Sequence, residues 1–191
     1  YNDERLENAK NLLETTDRMF ELAVSPKWFI SYLRTHIFPY VARFAVRINA
    51  VKKFAFPRVS QIGINYRRSS LSAHLGDANF KIKAGDRMPY FLVDDKSIYD
   101  KLHQPKFHSL LFSNAQSDFQ ALKAELESQY AESVDFNAVP LCPQAAAAFG
   151  TNNSFSVLLR PDNYIGLIAS EFSAADGGGI TNYLTKVFQP E

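Results

Sequence analysis

The stretch Ser156–Ser170, SVLLRPDNYIGLIAS, decides the fold of this chain. It predicts two buried strands, Ser156–Leu159 and Tyr164–Ala169, because both runs are apolar and rich in β-branched or aromatic residues. The intervening Arg160–Asn163 predicts a tight turn, since proline presets the backbone torsion and Asp and Asn stabilise turns with short side chains. Strands joined by so short a connection must pair antiparallel.

Strands and helices alternate in the sequence before and after this hairpin. The predicted strands are Tyr90–Val93, Phe107–Phe112 and Val134–Val139, and the predicted helices are Ser97–Leu102, about 117–130 with Ser117 or Asp118 as its cap, Pro143–Phe149 and Ile180–Phe188. The order is βαβαβαββα, in which alternation favours parallel strands and the last two strands are antiparallel. This is the order of the thioredoxin fold. We therefore expect an α/β class, with a mixed-sheet thioredoxin-like domain over residues 81–191.

The preceding part of the chain has a helical pattern over residues 1–56 and an extended arm and linker over residues 57–80. Ser25-Pro26 ends the first helix and starts a second, and Pro39 either kinks that helix or begins a third. One apolar stripe on the first helix is formed by Leu6, Ala9, Leu13, Thr16, Phe20 and Ala23. Such a segment has more apolar side chains than it can bury alone, so we expect it to cover another part of a larger protein or a partner subunit.

Charge is distributed unevenly along the 191 residues. Leu22 to Gly76 contains nine basic and no acidic residues, and the rest contains 20 acids against 12 bases. No apolar run reaches the roughly 18 residues of a membrane span, and no signal peptide is recognisable. The single Cys142 suits a reducing compartment, so we expect a cytoplasmic protein. The chain begins at Tyr1 within a helical pattern, which predicts a piece of a longer protein.

Dithiol redox chemistry is excluded by the residues present. A thioredoxin-type enzyme needs two thiols at a helix start, but the corresponding turn, Ser113–Ser117, has no cysteine and no proline precedes Phe155. Cys142 follows a core strand and is interpreted as a buried small residue. His36, His74, His103 and His108 lack metal-ligand spacing, and His108 is interpreted as a core or edge histidine.

The other candidate sites have simpler structural interpretations. Asp94-Asp95 is interpreted as a solvated turn, and Gly177–Gly179 as a hinge, because a phosphate cradle needs a preceding strand. The basic stretch Leu22–Gly76 could bind nucleic acid. Its aromatic residues, however, are spaced as residues of a hydrophobic core would be, so we expect no nucleic-acid partner. We assign no catalytic, cofactor-binding or metal-binding residue in this chain.

Four motifs in the chain resemble FAD-dependent aromatic hydroxylases of the phenol-hydroxylase and polyketide-oxygenase type. Tyr1–Phe20 resembles their Y-x-x-E-R…LL…TDR-x-F segment, and Ser60-Gln61 with Tyr66, Ser69 and Leu71 resembles their SQ…Y-x-x-S-x-L arm. Ala84–Pro89 resembles A-G-D-R-x-P, in which Asp86 and Arg87 would form a turn with an ion pair. Leu158–Ile165 resembles L-V-R-P-D-G-Y-V, with Asn163 in place of Gly because Asn tolerates a left-handed backbone.

The resemblance implies a role within a larger flavoprotein. A full-length relative would use NAD(P)H, FAD and O2 to hydroxylate a phenolic ring, and its FAD motifs would lie upstream. This chain would supply helices packed on the FAD-binding and substrate domains, followed by a thioredoxin-like tail without redox cysteines, and it would hold no cofactor alone. A homodimer is a further expectation. The alternative is a stand-alone, non-redox thioredoxin-like binding module.

Overall fold

A computed structural model describes residues 2–45, 47–49, 51, 63–76, 79–113, 120–170 and 177–188. The chain divides into two compact units, Tyr1–Ile64 and Asn65–Glu191. Within the described residues, no helix is both long and apolar enough to cross a membrane.

The first unit is helical. Helix α1 spans Asn2–Val24, and α2 spans Trp28–Tyr32. A π-helical turn, Leu33–Ile37, then leads directly into α3, Phe38–Ala45. Pro39 therefore lies in the first turn of a third helix, one of the two predicted alternatives, and the π-helical turn joins this helix to α2 without a break. Because proline has no N–H to donate to the preceding turn, a wider turn just before it accommodates the missing hydrogen bond.

The second unit contains a mixed five-stranded sheet, as the α/β prediction requires. Its strands are β1 (Ala73–Leu75), β4 (Phe107–Phe112), β5 (Val134–Val139), β6 (Phe155–Leu159) and β7 (Ile165–Ala169), in the spatial order β1-β7-β6-β4-β5. Strand β4 is parallel to β5, β6 is antiparallel to both β4 and β7, and β1 is parallel to β7. Every residue of β6 and β7 is buried, which explains their continuous apolar sequences.

Two parts of the predicted strand order are wrong. The first predicted strand, Tyr90–Val93, is not in the sheet, because β2 (Leu92–Val93) forms a separate hairpin with β3 (Lys96–Ser97). An additional edge strand, β1, comes instead from the region predicted as a linker. Short edge strands have little apolar periodicity, so their pairing cannot be recognised locally.

Helices cover both faces of the sheet. Helix α5 (Pro143–Phe149) and a 3₁₀ turn (Ile98–Lys101) pack on one face, in a cluster with Phe112, Phe149 and Phe155. Helices α4 (Gln120–Tyr130) and α6 (Gly177–Phe188) contribute side chains to the cluster on the other face. The predicted caps of α4, Ser117 and Asp118, lie outside the described residues.

Helix α6 begins three residues earlier than predicted, and the glycines interpreted as a hinge belong to its first turn. A Cβ on Gly179 would lie 2.3 Å from Leu75 Cδ1. Helix α6 therefore approaches the edge strand β1 closely at Gly179, and a larger residue there would have to displace the end of the Leu75 side chain.

Candidate functional site

Three distant segments of the chain meet beside the antiparallel pair β6–β7. The Tyr66 N–H donates to the Gly85 carbonyl at 2.7 Å, and the Gly85 N–H donates to the Ile165 carbonyl at 2.6 Å. The turn that contains Gly85 therefore lies between the arm and the β6–β7 hairpin. We call this cluster, Tyr66–Arg67, Ala84–Asp86 and Arg160–Tyr164, the motif junction, because its three segments belong to three of the motifs identified in the sequence.

Glycine at position 85 allows the close approach of these segments. Its φ of +88° is in the left-handed region, which side chains disfavour. A Cβ there would lie 2.4 Å from the Tyr66 carbonyl carbon and 2.4 Å from the Arg67 nitrogen. Because both of these are backbone atoms, no rotation of a side chain could relieve the clash.

A bidentate ion pair crosses the motif junction. Arg67 Nε donates to Asp86 Oδ1 at 2.7 Å, and an Arg67 Nη donates to Asp86 Oδ2 at 2.8 Å. The hydrogen bond to Asp86 raises the pKa of Arg67. The expected ion pair between Asp86 and Arg87 is therefore wrong, since the partner of Asp86 is 19 residues earlier in the chain.

Aromatic rings and a second arginine complete the motif junction. The Tyr66 and Tyr164 ring centroids are 4.6 Å apart, and the Arg160 guanidinium lies 5.7 Å from the centroid of Tyr66. Arg160 also donates to Asp162 Oδ2 at 3.0 Å. Asn163 has a φ of +63°, the left-handed backbone that the sequence predicts at this turn. These contacts join the hairpin to the arm.

The contacts of the motif junction are structural. Both Asp86 oxygens are occupied, because Oδ2 also accepts from the Lys83 N–H at 2.9 Å. The motif junction therefore holds the arm, the turn and the hairpin together.

Ser113 begins the turn in which the sequence analysis looked for redox cysteines, and Ser154 directly precedes Phe155. The Ser154 hydroxyl donates to the Ser113 hydroxyl at 3.0 Å, and this bond joins the end of β4 to the residue before β6. Residues Asn114–Ser117 lie outside the described part of the chain. The described hydroxyl pair cannot undergo thiol–disulfide exchange.

Cys142 and His108 both have structural contacts. Cys142 is half-buried at the start of α5, where its Sγ accepts from the Ala145 N–H at 3.5 Å. His108 is 1% exposed, with Nδ1 at 3.2 Å from Asp135 Oδ2 and Nε2 at 3.0 Å from the Gln104 carbonyl. The interpretation of His108 as a core histidine agrees with this burial.

The remaining candidates form no site in the described ranges. Asp94 and Asp95 both have positive φ, at 51° and 60°, and they form the tight turn between β2 and β3. Across the part of the chain that the structure describes, no three His, Cys, Asp or Glu side chains gather as metal ligands would.

Sequence reasoning missed two contacts in this region. One is the Arg67–Asp86 pair, and the other is the bond from the Ala84 N–H to His74 Nε2 at 3.1 Å. The first joins residues that are 19 positions apart and the second joins residues that are 10 positions apart, with an irregular segment between them. The periodicity of apolar residues does not predict such a contact.

Comparisons with known proteins identify similar solved structures. No family model and no curated protein matches this chain. The rebeccamycin biosynthetic enzyme RebC with reduced flavin has a TM-score of 0.61 at 20% identity, over 96% of this chain and 35% of that chain. OxyS, an anhydrotetracycline hydroxylase from Streptomyces rimosus, has a TM-score of 0.51 at 17% identity, over 80% of this chain and 28% of its own. Native and K252c-bound RebC-10x has a TM-score of 0.50 at 22% identity, over 78% and 28%.

These similarities establish a shared fold. The resemblance predicted from the motifs is confirmed at that level, because the similar structures include a flavin enzyme and a hydroxylase. The chain spans about a third of the length of the RebC structure and less of the other two.

Proposed function

We propose that this chain is the C-terminal structural part of an FAD-dependent, NAD(P)H-using monooxygenase that hydroxylates phenolic or aromatic compounds. The observation that carries the proposal is the similarity over 96% of this chain to about a third of RebC, a structure that contains reduced flavin. The four motifs of the sequence, in the order expected for such enzymes, provide independent support.

The exposed surface of the first unit supports a role inside a larger protein. Among the described residues, seventeen large apolar side chains between Leu6 and Val51 are exposed, against two in the second unit, Tyr90 and Phe188. Trp28 is 81% exposed and Phe44 is 68% exposed. Burial of each such side chain contributes about 1.5–3 kcal/mol, so a covering domain would be strongly stabilised here.

The charges on the same unit indicate what the covering surface would carry. Lys27, Arg34, Arg43 and Arg47 are exposed, and none of them has a carboxylate partner in the described ranges. A complementary surface would be apolar with acidic residues around it. In the proposed protein, that surface belongs to the FAD-binding and substrate domains.

We propose that this chain holds no FAD by itself. The sequence has no G-x-G-x-x-G motif, and Gly179 of the one glycine run is packed under Leu75. When it is bound to the larger protein, FAD would supply the oxygen-transfer chemistry. This chain would supply the covering helices, the motif junction and the tail.

The tail is proposed to be a thioredoxin-like domain without redox activity. Support comes from the chain order β4-α4-β5-α5-β6-β7-α6, which agrees with the last seven elements of the predicted order. We further propose a homodimer formed through the tail or the exposed helices. A monomeric mass in dilute solution would contradict that second proposal.

Two measurements test the proposed function. The purified chain is expected to have no flavin absorbance and to oxidise no NAD(P)H when FAD is added, and tight stoichiometric FAD binding would contradict the proposal. The coding region upstream of Tyr1 is expected to continue as an open frame with a glycine-rich βαβ unit. A start codon near Tyr1 would instead favour a stand-alone binding module.

A further inference from the structure

We infer that His74 is a pH-sensitive latch, which holds the edge strand β1 to the Ala84 turn while its ring is neutral and releases the strand when the ring is protonated. This inference concerns the second unit alone. It does not depend on the proposed function.

The latch is a hydrogen bond that only a neutral ring can make. The Ala84 N–H donates to His74 Nε2 at 3.1 Å. Because an amide N–H cannot accept, Nε2 must present its lone pair, and the proton of the neutral ring must be on Nδ1. Protonation of the ring places a second N–H at Nε2, so that two donors face each other and the bond is lost.

The surrounding charges oppose a protonated ring. His74 is exposed at the edge of the sheet, but its partial burial and Lys83, which directly precedes Ala84, lower the pKa of His74 below its ordinary 6.5, and Arg67 acts in the same direction. Asp86 favours the charged form, but its two oxygens already accept from Arg67 and from the Lys83 N–H. A protonated His74 would therefore be close to two cations and to a carboxylate that is already paired.

The position of the strand at the edge of the sheet favours its release. Strand β1 has three residues and lies at the edge of the sheet, paired with β7 alone. Two other hydrogen bonds hold this segment: the Ser170 N–H donates to the Leu75 carbonyl at 3.1 Å, and the Tyr183 hydroxyl donates to the Leu71 carbonyl at 2.7 Å. Short edge elements open locally at much lower free energy than central strands.

Amide hydrogen exchange on the full chain tests the latch. Exchange is measured by NMR at about pH 7.5 and about pH 5.5, with correction for the intrinsic rate, at Ala84 and at residues 71–76. We expect the opening constant of these amides to rise by up to about tenfold for each pH unit below the ordinary His74 pKa. The amides of β4 serve as the internal control and should keep their protection.

The matched variant is His74→Gln, because the glutamine carbonyl can accept from the same N–H but does not titrate in this range. Exchange at Ala84 in this variant should be independent of pH over the same interval. An equal rise in the variant, or no rise in the wild type, would overturn the inference.

A second measurement does not depend on the folding of the variant. The ring of His74 is titrated by NMR in the wild-type chain. We expect the neutral ring to carry its proton on Nδ1 and to titrate below 6.5. A proton on Nε2, or titration at or above that value, would overturn the latch.

Discussion

Arg67 and Asp86 form a bidentate pair, with both nitrogen–oxygen distances at or below 2.8 Å, although 19 positions separate them in the chain. The Asp86 side chain is 12% exposed and the Arg67 side chain is 49% exposed. The carboxylate thus lies inside the motif junction, and the guanidinium reaches it from the side of the solvent. The pair connects the arm of the chain to the turn that contains Gly85, and this turn is hydrogen-bonded to the β6–β7 hairpin.

Removal of the buried carboxylate should destabilise the second unit. We expect Asp86→Ala to lower the free energy of unfolding by about 1–3 kcal/mol, because Arg67 and the Lys83 N–H both lose their acceptor. The cost is limited because the half-exposed Arg67 can regain water. Urea unfolding followed by circular dichroism measures the difference.

The control for this substitution is Glu14→Gln. Glu14 pairs with Arg18 at 4.0 Å, but both side chains are at least 70% exposed. Exposed pairs contribute about 0–1 kcal/mol, so this variant should be close to wild type. Equal effects of the two substitutions would contradict a structural role for Asp86.

Gly85→Ala should be more damaging than Gly150→Ala. Both glycines have positive φ, which alone costs an alanine about 1 kcal/mol. A Cβ at position 85 also meets backbone atoms at 2.4 Å, whereas at position 150 the nearest atom is the Lys81 Cβ at 3.2 Å. We expect a loss of more than about 3 kcal/mol at Gly85 and about 1–2 kcal/mol at Gly150. Thermal unfolding of the two variants measures the difference, and similar melting temperatures would refute the clash.

Asn163 should tolerate glycine but not a β-branched residue. Its φ of +63° requires a left-handed backbone, which Gly adopts freely and Asn accepts. We expect Asn163→Gly to change the free energy of unfolding by less than about 0.5 kcal/mol and Asn163→Val to lower it by about 1–2 kcal/mol. Equal stability of the two variants in urea would show that the turn does not need this conformation.

The stability of the second unit should fall in mildly acidic solution. Since the folded state lowers the pKa of His74 below 6.5, the unfolded chain binds this proton first as the pH falls. The contribution of His74 is therefore complete above about pH 6.5 and is lost below it, by well below about 1.4 kcal/mol per pH unit because solvent screens the exposed ring. Urea unfolding at several pH values measures the slope. The slope should be smaller in His74→Gln, and identical slopes would contradict the prediction.

Trp28 should report whether the helical face is covered. It is the only tryptophan in the sequence and is 81% exposed. In the isolated chain, we expect red-shifted emission that iodide quenches readily, because the indole is in water. In a longer protein that includes the proposed flavin-binding portion, quenching should decrease several-fold. Equal quenching in both proteins would contradict the proposed burial of this face.

The sequence by itself determined the central part of the second unit. Strands β4, β5, β6 and β7 and helix α5 are where their apolar runs, caps and turn residues predicted them. Each of these elements is specified locally, since buried strands need continuous apolar residues and Pro161 with Asn163 suits a tight turn. The left-handed backbone at Asn163 also follows from residue type alone.

Only the tertiary structure decided which segments meet. The edge strand β1, the exclusion of Leu92–Val93 from the sheet, and the pairing of Arg67 with Asp86 all depend on contacts between distant parts of the chain. A three-residue strand or a single ion pair has no periodic signature. The partner of such a strand or charged residue is set by the distances and geometry of the folded backbone. The arm, the turn and the hairpin could therefore each be recognised in the sequence, but their contacts with one another could not.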